Sequence, residues 1–153
     1  MATKSLITEL NQLLSDFHIY YQNTRGFHWN IKGNNFFQLH NKFEELYTES
    51  LNVIDEIGER ILTIGGQPLH TFSDYIDTSN LKAYKDVTID KEIISALITQ
   101  LEQLIAQENI VKELAVESDD SETEDMMIGL INTQQKTKWM LNAWMGQPVE
   151  QLV

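Results

Sequence analysis

The sequence predicts an all-α fold, a bundle of four long helices with a short helix in a crossover. Apolar residues recur at three- and four-residue intervals over four long segments, glycine- and proline-containing turns end three of these segments, and no stretch shows the alternation typical of a strand. The 153 residues suffice for one substantial core, so we expect a single domain over 1–153.

The first two helices are predicted as antiparallel neighbours. The first begins at Leu6 and ends near Asn30, because Gly33-Asn34-Asn35 can form a turn with positive φ. The second follows at once and stops at Gly65-Gly66-Gln67-Pro68, a strong helix terminator. A turn this short places the two helices side by side.

A long crossover is predicted to follow. Residues 67–89 break the helical rhythm, yet one small helix is expected among four apolar residues, namely Phe72, Tyr75, Ile76 and Leu81. A link of this length can run the length of the bundle, which gives an up-down-down-up arrangement. The predicted fold class is therefore a ferritin-like four-helix bundle with a long crossover carrying a short helix between helices two and three.

The last two helices have candidate start signals. Asp90 is a candidate N-cap for helix three, and Ser121 and Glu124 have the spacing of a capping box for helix four. Helix four is expected to end at Gly146-Gln147-Pro148.

Composition excludes several classes of function. The formal net charge of −12 argues against general affinity for nucleic acid. Without cysteine, disulfides, thiolate metal sites and cysteine nucleophiles are excluded, so any metal site must use His, Asp or Glu. We find neither a signal-peptide core nor a membrane-spanning segment, so a cytoplasmic protein with no membrane partner is expected.

Four side chains suited to metal binding lie in the first two helices: His28, His40, Asp55 and Glu59. Asp55 and Glu59 share one face of helix two, but His40 precedes them by about 15 positions, or roughly 22 Å of helix axis. His28 lies at the end of the bundle that holds His40. A site using both pairs therefore requires two chains whose second helices lie antiparallel across a two-fold axis. Imidazole and carboxylate ligands suit Fe(II), Zn(II) or Mn(II).

A site within one bundle would instead use Glu-x-x-His pairs. None of the four histidines has Glu three positions before it; the residues there are Ser15, Arg25, Phe37 and Gln67. We do not expect that site.

Three motifs together resemble a known family. They are Phe-His-Trp-Asn at 27–30, Phe-Phe-x-Leu-His-x-x-Phe-x-x-Leu-Tyr at 36–47 and Asp-Glu-Ile-Gly-Glu-Arg at 55–60. As a set they resemble the Dps proteins, the DNA-binding proteins from starved cells, also called mini-ferritins. Trp-Met-Leu-Asn-Ala-Trp at 139–144 extends a weaker similarity over nearly the whole chain.

The resemblance implies a hollow homo-oligomer, a dodecamer, that oxidises Fe(II), preferentially with hydrogen peroxide, stores Fe(III) mineral and protects against oxidative stress. It places the ligands of a di-iron ferroxidase site on His28 and His40 of one subunit and Asp55 and Glu59 of its two-fold mate. Glu44 matches an acidic residue that assists at the second iron position. Trp29 matches a family tryptophan beside the site, an aromatic side chain that can absorb stray oxidising equivalents.

Two rival functions stay open. The first is an architectural protein that compacts the DNA of the starved nucleoid, with secondary iron chemistry. Family members that compact DNA usually use a Lys/Arg-rich tail, whereas only Lys4 precedes the first helix here and 150–153 hold no basic residue, so DNA binding is not expected. The second is a non-catalytic helical scaffold.

Several other polar residues have competing interpretations. Glu45 and Glu49 suit either a mineral-nucleating inner surface or an ordinary charged helix face. The acidic run over 117–125 suits either an iron-attracting pore or helix capping. We expect His18 to pack, His70 to be exposed and Arg60 to form a structural ion pair.

Overall fold

The structure, a computed structural model, describes residues 4–146. Four long helices and one short helix form the bundle, and the predicted fold class is confirmed. In chain order the helices are α1 (Lys4–Asn30), α2 (Phe36–Thr63), α3 (Phe72–Thr78), α4 (Asp90–Glu117) and α5 (Ser121–Trp144). The predicted end of the last helix is met at Gly146, while Gln147 and Pro148 lie outside the described residues.

Contacts at the two ends of the bundle establish the helix directions. The backbone N–H of Lys32, in the α1–α2 turn, donates to the carbonyl of Thr88, just before α4, at 3.0 Å. At the other end, Arg60 of α2 bonds Asp120 in the α4–α5 turn at 2.8 Å. Helices α2 and α4 therefore start at the same end and run parallel, as the up-down-down-up arrangement requires.

Glycines end the first two helices by adopting backbone angles that other residues avoid. Gly33 has φ +117° in the α1–α2 turn, and Gly65 has φ +93° just after α2. Side chains with a Cβ rarely take such angles, so these positions turn the chain sharply. The short first turn sets α1 and α2 side by side, which brings the regions around His28 and His40 together.

The core is an apolar seam between the four long helices. The residues at its centre are fully buried and come from all of α1, α2, α4 and α5; examples are Leu13, Phe43, Ile57, Leu97 and Met127. Burying a side chain of this kind contributes roughly 1.5–3 kcal/mol.

Polar groups on α1 hold the crossover against the bundle. Asp16 accepts hydrogen bonds from the hydroxyl of Ser79 and the backbone N–H of Asn80 at 2.8 and 2.9 Å. Further along, Asn23 donates to the carbonyl of Lys82 and accepts from the N–H of Tyr84. These bonds satisfy crossover backbone groups that have no helical partner.

Two helix-start predictions are wrong in detail. Helix α4 is preceded by Ile89 as its N-cap residue, and Asp90 is the first helical residue. The side chain of Asp120, rather than Ser121, caps α5 by accepting from the N–H of Thr123 at 3.0 Å. A carboxylate one position earlier already fills the cap, so the Ser121–Glu124 box does not form.

The short helix of the crossover also buries fewer of its apolar side chains than predicted. Tyr75 and Leu81 are buried, but Phe72 is 80% exposed and Ile76 67% exposed. Leu81 lies after the helix, which ends at Thr78. Among residues 4–146, no helix is both long and apolar enough to span a membrane.

Candidate metal centre

His28 and His40 form one stacked pair at the end of the bundle where α1 meets α2. Their ring centroids are 3.7 Å apart and the ring planes differ by 13°. Each ring bonds the other residue's backbone: His28 Nδ1 lies 2.6 Å from the His40 carbonyl oxygen, and His40 Nδ1 lies 2.7 Å from that of His28. The last carbonyls of α1 lack helical partners, so His40 also satisfies the end of that helix.

These two hydrogen bonds determine which ring nitrogens can bind a cation. A carbonyl oxygen only accepts, so each Nδ1 must carry the proton and donate it. In the neutral rings the lone pair is then on Nε2, the form in which imidazole binds metal. The carboxyl end of α1 adds a partial negative charge beside them.

Aromatic neighbours restrict the orientation of the pair. The ring of Phe36 stacks on His40 with centroids 4.8 Å apart, and the ring of Tyr47 meets His28 edge-on at 5.3 Å. Phe36 and Tyr47 lie on the same face of α2 as His40, at intervals of four and seven residues. This supporting role was missed in the sequence, although the helical spacing contains the signal.

Trp29 lies next to the pair in sequence but largely in solvent, at 60% exposure. The guanidinium of Arg25 lies over the rings of both Tyr21 and Trp29, with its carbon 5.1 and 5.0 Å from their centroids. A tryptophan this exposed, beside two buried or half-buried histidines, is available to a neighbouring molecule.

The carboxylates Asp55 and Glu59 lie near the other end of α2, and both are exposed. A side-chain hydrogen bond with Asp55, and then the charge of Asp55, raise the pKa of Glu59. The nearby carboxyl group of Asp55 therefore opposes ionisation of Glu59, and a cation bound between the two side chains would relieve that repulsion. Glu44 is exposed as well, one turn after His40 on α2.

The structure does not bring the two pairs together within one chain. From His40 to Asp55 the axis of α2 rises roughly 22 Å. Within residues 4–146, no three His, Asp or Glu side chains lie close enough to hold one metal ion. Whether a second chain completes a site stays a prediction.

The remaining candidate residues are accounted for individually. His18 stacks on Tyr75 with centroids 3.7 Å apart, and His70 is exposed, both as predicted. Arg60 forms the expected ion pair, with Asp120. Glu45 and Glu49 lie on the exposed face of α2, which leaves both interpretations of them open.

Comparison with known proteins places this chain in a family. Residues 7–148 match the ferritin-like domain. The chain is 38% identical over 144 residues to DNA protection during starvation protein 2 of Bacillus anthracis, covering 94% of this chain and 99% of that protein. It is also 38% identical over 139 residues to the DNA protection during starvation protein of Porphyromonas gingivalis, covering 91% and 87%.

Solved structures agree with the sequence relatives. A Dps protein of Vibrio cholerae O1, described as a member of a broad superfamily of ferritin-like diiron-carboxylate proteins, matches with TM-score 0.90 and 42% identity over 92% of this chain and 88% of that one. A Dps protein from Bacillus brevis matches with TM-score 0.91 and 33% identity, covering 95% and 99%. The chain belongs to the Dps family of ferritin-like proteins.

Proposed function

We propose that this protein is a ferroxidase and iron-storage protein that oxidises Fe(II) with hydrogen peroxide and retains the Fe(III) as mineral inside a hollow homo-oligomer, a dodecamer. The observation that carries the proposal is the reciprocal bonding of His28 and His40, which leaves both Nε2 atoms free to bind a cation. Membership of the Dps family supplies the reason to choose iron.

The proposed substrate site is shared by two chains. His28 and His40 of one chain supply neutral nitrogen ligands, while Asp55 and Glu59 of the other supply oxygen ligands whose charge favours the Fe(III) product. Glu44 assists at the second iron position, one turn from His40. The exposure of Asp55 and Glu59 in a single chain fits ligands that meet their partners only across an interface.

Holding two Fe(II) ions together matters because peroxide accepts two electrons. Two Fe(II) each give one electron, and H2O2 with two protons becomes two water molecules. A single Fe(II) would instead cleave peroxide to hydroxide and a hydroxyl radical. Trp29 follows His28 in the sequence and is 60% exposed, and its proposed role is to donate an electron to any radical that escapes.

The test is anaerobic loading with Fe(II), followed by peroxide, with the stoichiometry of oxidation and the particle size measured together. We expect about two Fe(II) oxidised per peroxide and little spin-trapped hydroxyl radical. His28→Ala with His40→Ala should abolish the fast oxidation, while His70→Ala, an exposed histidine away from the pair, should leave it unchanged. If the double variant oxidised Fe(II) at the normal rate, the two histidines would not be catalytic ligands, and the alternative of a non-catalytic helical scaffold would be favoured.

The relatives are named for DNA protection during starvation, which is the reason to consider a second candidate, an architectural DNA-binding protein with secondary iron chemistry. The net charge of −12 opposes it, because binding to phosphate relies on Lys and Arg. Consuming Fe(II) and peroxide also protects DNA without touching it. A gel-shift experiment at moderate salt should show no tight duplex binding, and a clear shift would reverse this ranking.

A further inference from the structure

Apart from the histidine pair, three long helices each place one buried polar side chain in the middle of the bundle, and α2 places an acidic side chain at the surface beside them. They are Tyr20 of α1, Glu49 of α2, Glu108 of α4 and Gln134 of α5. Glu108 is fully buried, and Tyr20 and Gln134 are buried as well, while Glu49 lies at the surface. An acidic side chain with no exposure is rare in a protein core unless it is paired.

Glu108 and Gln134 are bonded to each other but remain incompletely satisfied. Gln134 Nε2 donates to Glu108 Oε2 at 2.6 Å. Among residues 4–146, neither Glu108 Oε1 nor Gln134 Oε1 has a hydrogen-bond partner, although both atoms are buried. Both are acceptors, and leaving such atoms unpaired costs about 1–3 kcal/mol each, more for a charged group.

Glu108 has no cationic partner among residues 4–146. In the described part of the chain, ion pairs join Lys42 to Glu45, Arg60 to Asp120 and Lys138 to Glu102, and none involves Glu108. Burial raises the pKa of Tyr20, and the charges of Glu49 and Glu108 raise it further. A carboxylate buried without a cationic partner needs a bound cation or a proton.

A cleft between α2 and α5 leads from the surface to Gln134, and Glu108 lies behind Gln134, bonded to it. Its volume is about 260 Å³, with Glu49 and Asn52 of α2 on one side and Thr133 and Gln134 of α5 on the other. Tyr20 also lines it. The cleft is large enough for a hydrated cation and its water molecules, and the charge of Glu49 on its wall would attract one.

We propose that Glu108 Oε1 and Gln134 Oε1 bind a hard divalent cation that enters through the cleft between α2 and α5. All the protein ligands are oxygen atoms, so the chemistry suits ions of the Mg²⁺ and Mn²⁺ class, which retain several water molecules. Burial raises the pKa of Glu108 to about 8, so protons compete with the cation for the same carboxylate. This site is separate from the proposed ferroxidase ligands and does not depend on them.

Mn²⁺ is the probe, because the free ion is counted by electron paramagnetic resonance. Asp55→Asn with Glu59→Gln serves as the background, so that the proposed ferroxidase site contributes little. We expect this background variant to bind one Mn²⁺ per chain at a saturable site. Adding Glu108→Gln to it should weaken Mn²⁺ binding by at least about tenfold. Glu102→Gln makes the same charge change at an exposed position on α4 and should leave it unchanged.

Gln134→Met provides a second variant that removes an oxygen ligand but keeps Glu108. It should also weaken Mn²⁺ binding, and a melting curve for each variant shows whether it is folded. Anomalous scattering from a Mn²⁺-soaked crystal should place the ion between Glu108 and Gln134. A water molecule there, or equal Mn²⁺ binding with and without Glu108→Gln, would overturn the proposal.

Discussion

Individual side chains in this protein are held in chemically specific states by their neighbours. The backbone carbonyls of His28 and His40 decide the tautomer of each ring, and Asp55 raises the pKa of Glu59. At Glu108 the deciding factor is burial, which opposes ionisation. In each case the neighbouring groups, and not the residue type alone, influence how the side chain holds a proton.

The buried Glu108 should make stability depend on pH. Its pKa in the folded chain is about 8 against an ordinary value of 4.5, so the folded state binds more protons between these values. Its contribution to the free energy of unfolding therefore falls as the pH rises from about 4.5 to about 8, by a few kcal/mol in order of magnitude.

Glu108→Gln removes this titration. In chelator, the melting temperature of the variant should exceed that of the wild type by more at pH 8.5 than at pH 5. For Glu102→Gln on the same helix, the difference in melting temperature from the wild type should be small and equal at the two pH values. A gain from Glu108→Gln that is equal at the two pH values would contradict the assignment of a raised pKa.

At the scale of elements, the end of α2 and the start of α5 are joined through Asp120. Its carboxylate caps α5 through the N–H of Thr123 and pairs with Arg60, at 3.0 and 2.8 Å. Burial acts to raise the pKa of Asp120, but the bonds from Thr123 and the charge of Arg60 outweigh burial and lower it. Arg60 directly follows Glu59, so this contact also anchors the helix turn that carries the carboxylates.

Asp120→Ala should destabilise the protein by roughly 1–2 kcal/mol, because it removes the cap and leaves Arg60 without its carboxylate. Thermal or denaturant unfolding at neutral pH measures the loss. The stabilisation exists above the unfolded pKa, about 3.8, and disappears as the pH falls through the lowered folded value, so wild type and variant should converge in acid.

Ser121→Ala is the matched control for the cap. The Ser121 hydroxyl bonds Glu122 rather than a backbone N–H of the first turn, so its removal should cost less than about 0.5 kcal/mol. If Ser121→Ala lowered the free energy of unfolding by more than Asp120→Ala does, the capping box predicted from the Ser121–Glu124 spacing would be favoured instead.

At the scale of the whole molecule, helix α2 separates the two candidate half-sites by roughly 22 Å. Rigid helices prevent one chain from closing that gap. If the proposed function is correct, assembly is a condition of catalysis, and a symmetric interface makes two sites at once.

Mixing two inactive variants tests this arrangement. His28→Ala/His40→Ala chains and Asp55→Asn/Glu59→Gln chains, refolded together, should regain activity, since each mixed interface contains one intact site and one that lacks all four ligands. Random pairing in equal amounts should restore about a quarter of the wild-type sites. Peroxide-driven Fe(II) oxidation measures the recovery.

Two variants of the same half-site provide the control. Mixing His28→Ala chains with His40→Ala chains leaves every site short of one histidine, so activity should stay low. Activity that fails to return in the first mixture, despite coassembly verified by mass spectrometry, would count against a site shared by two chains.

Much of this protein follows from its sequence because helix formation is local. The apolar periodicity predicted the four long helices, and Gly33 and Gly65 predicted where two of them end, since positive φ is a property of single residues. The four metal-ligand candidates were found in the same way, from residue type and helical spacing. Their role stays a prediction, because the ligands of one site would come from different chains.

Tertiary structure decided what depends on contacts between distant segments. Residue type could not show that His28 and His40 bond each other's backbone, that Asp120 rather than Ser121 caps α5, or that Phe72 and Ile76 face solvent. Nor could it show that Glu108 lies in the core against Gln134. Periodicity says which face of a helix is apolar, but burial and pairing depend on what packs against that face, and this is settled only when the helices meet.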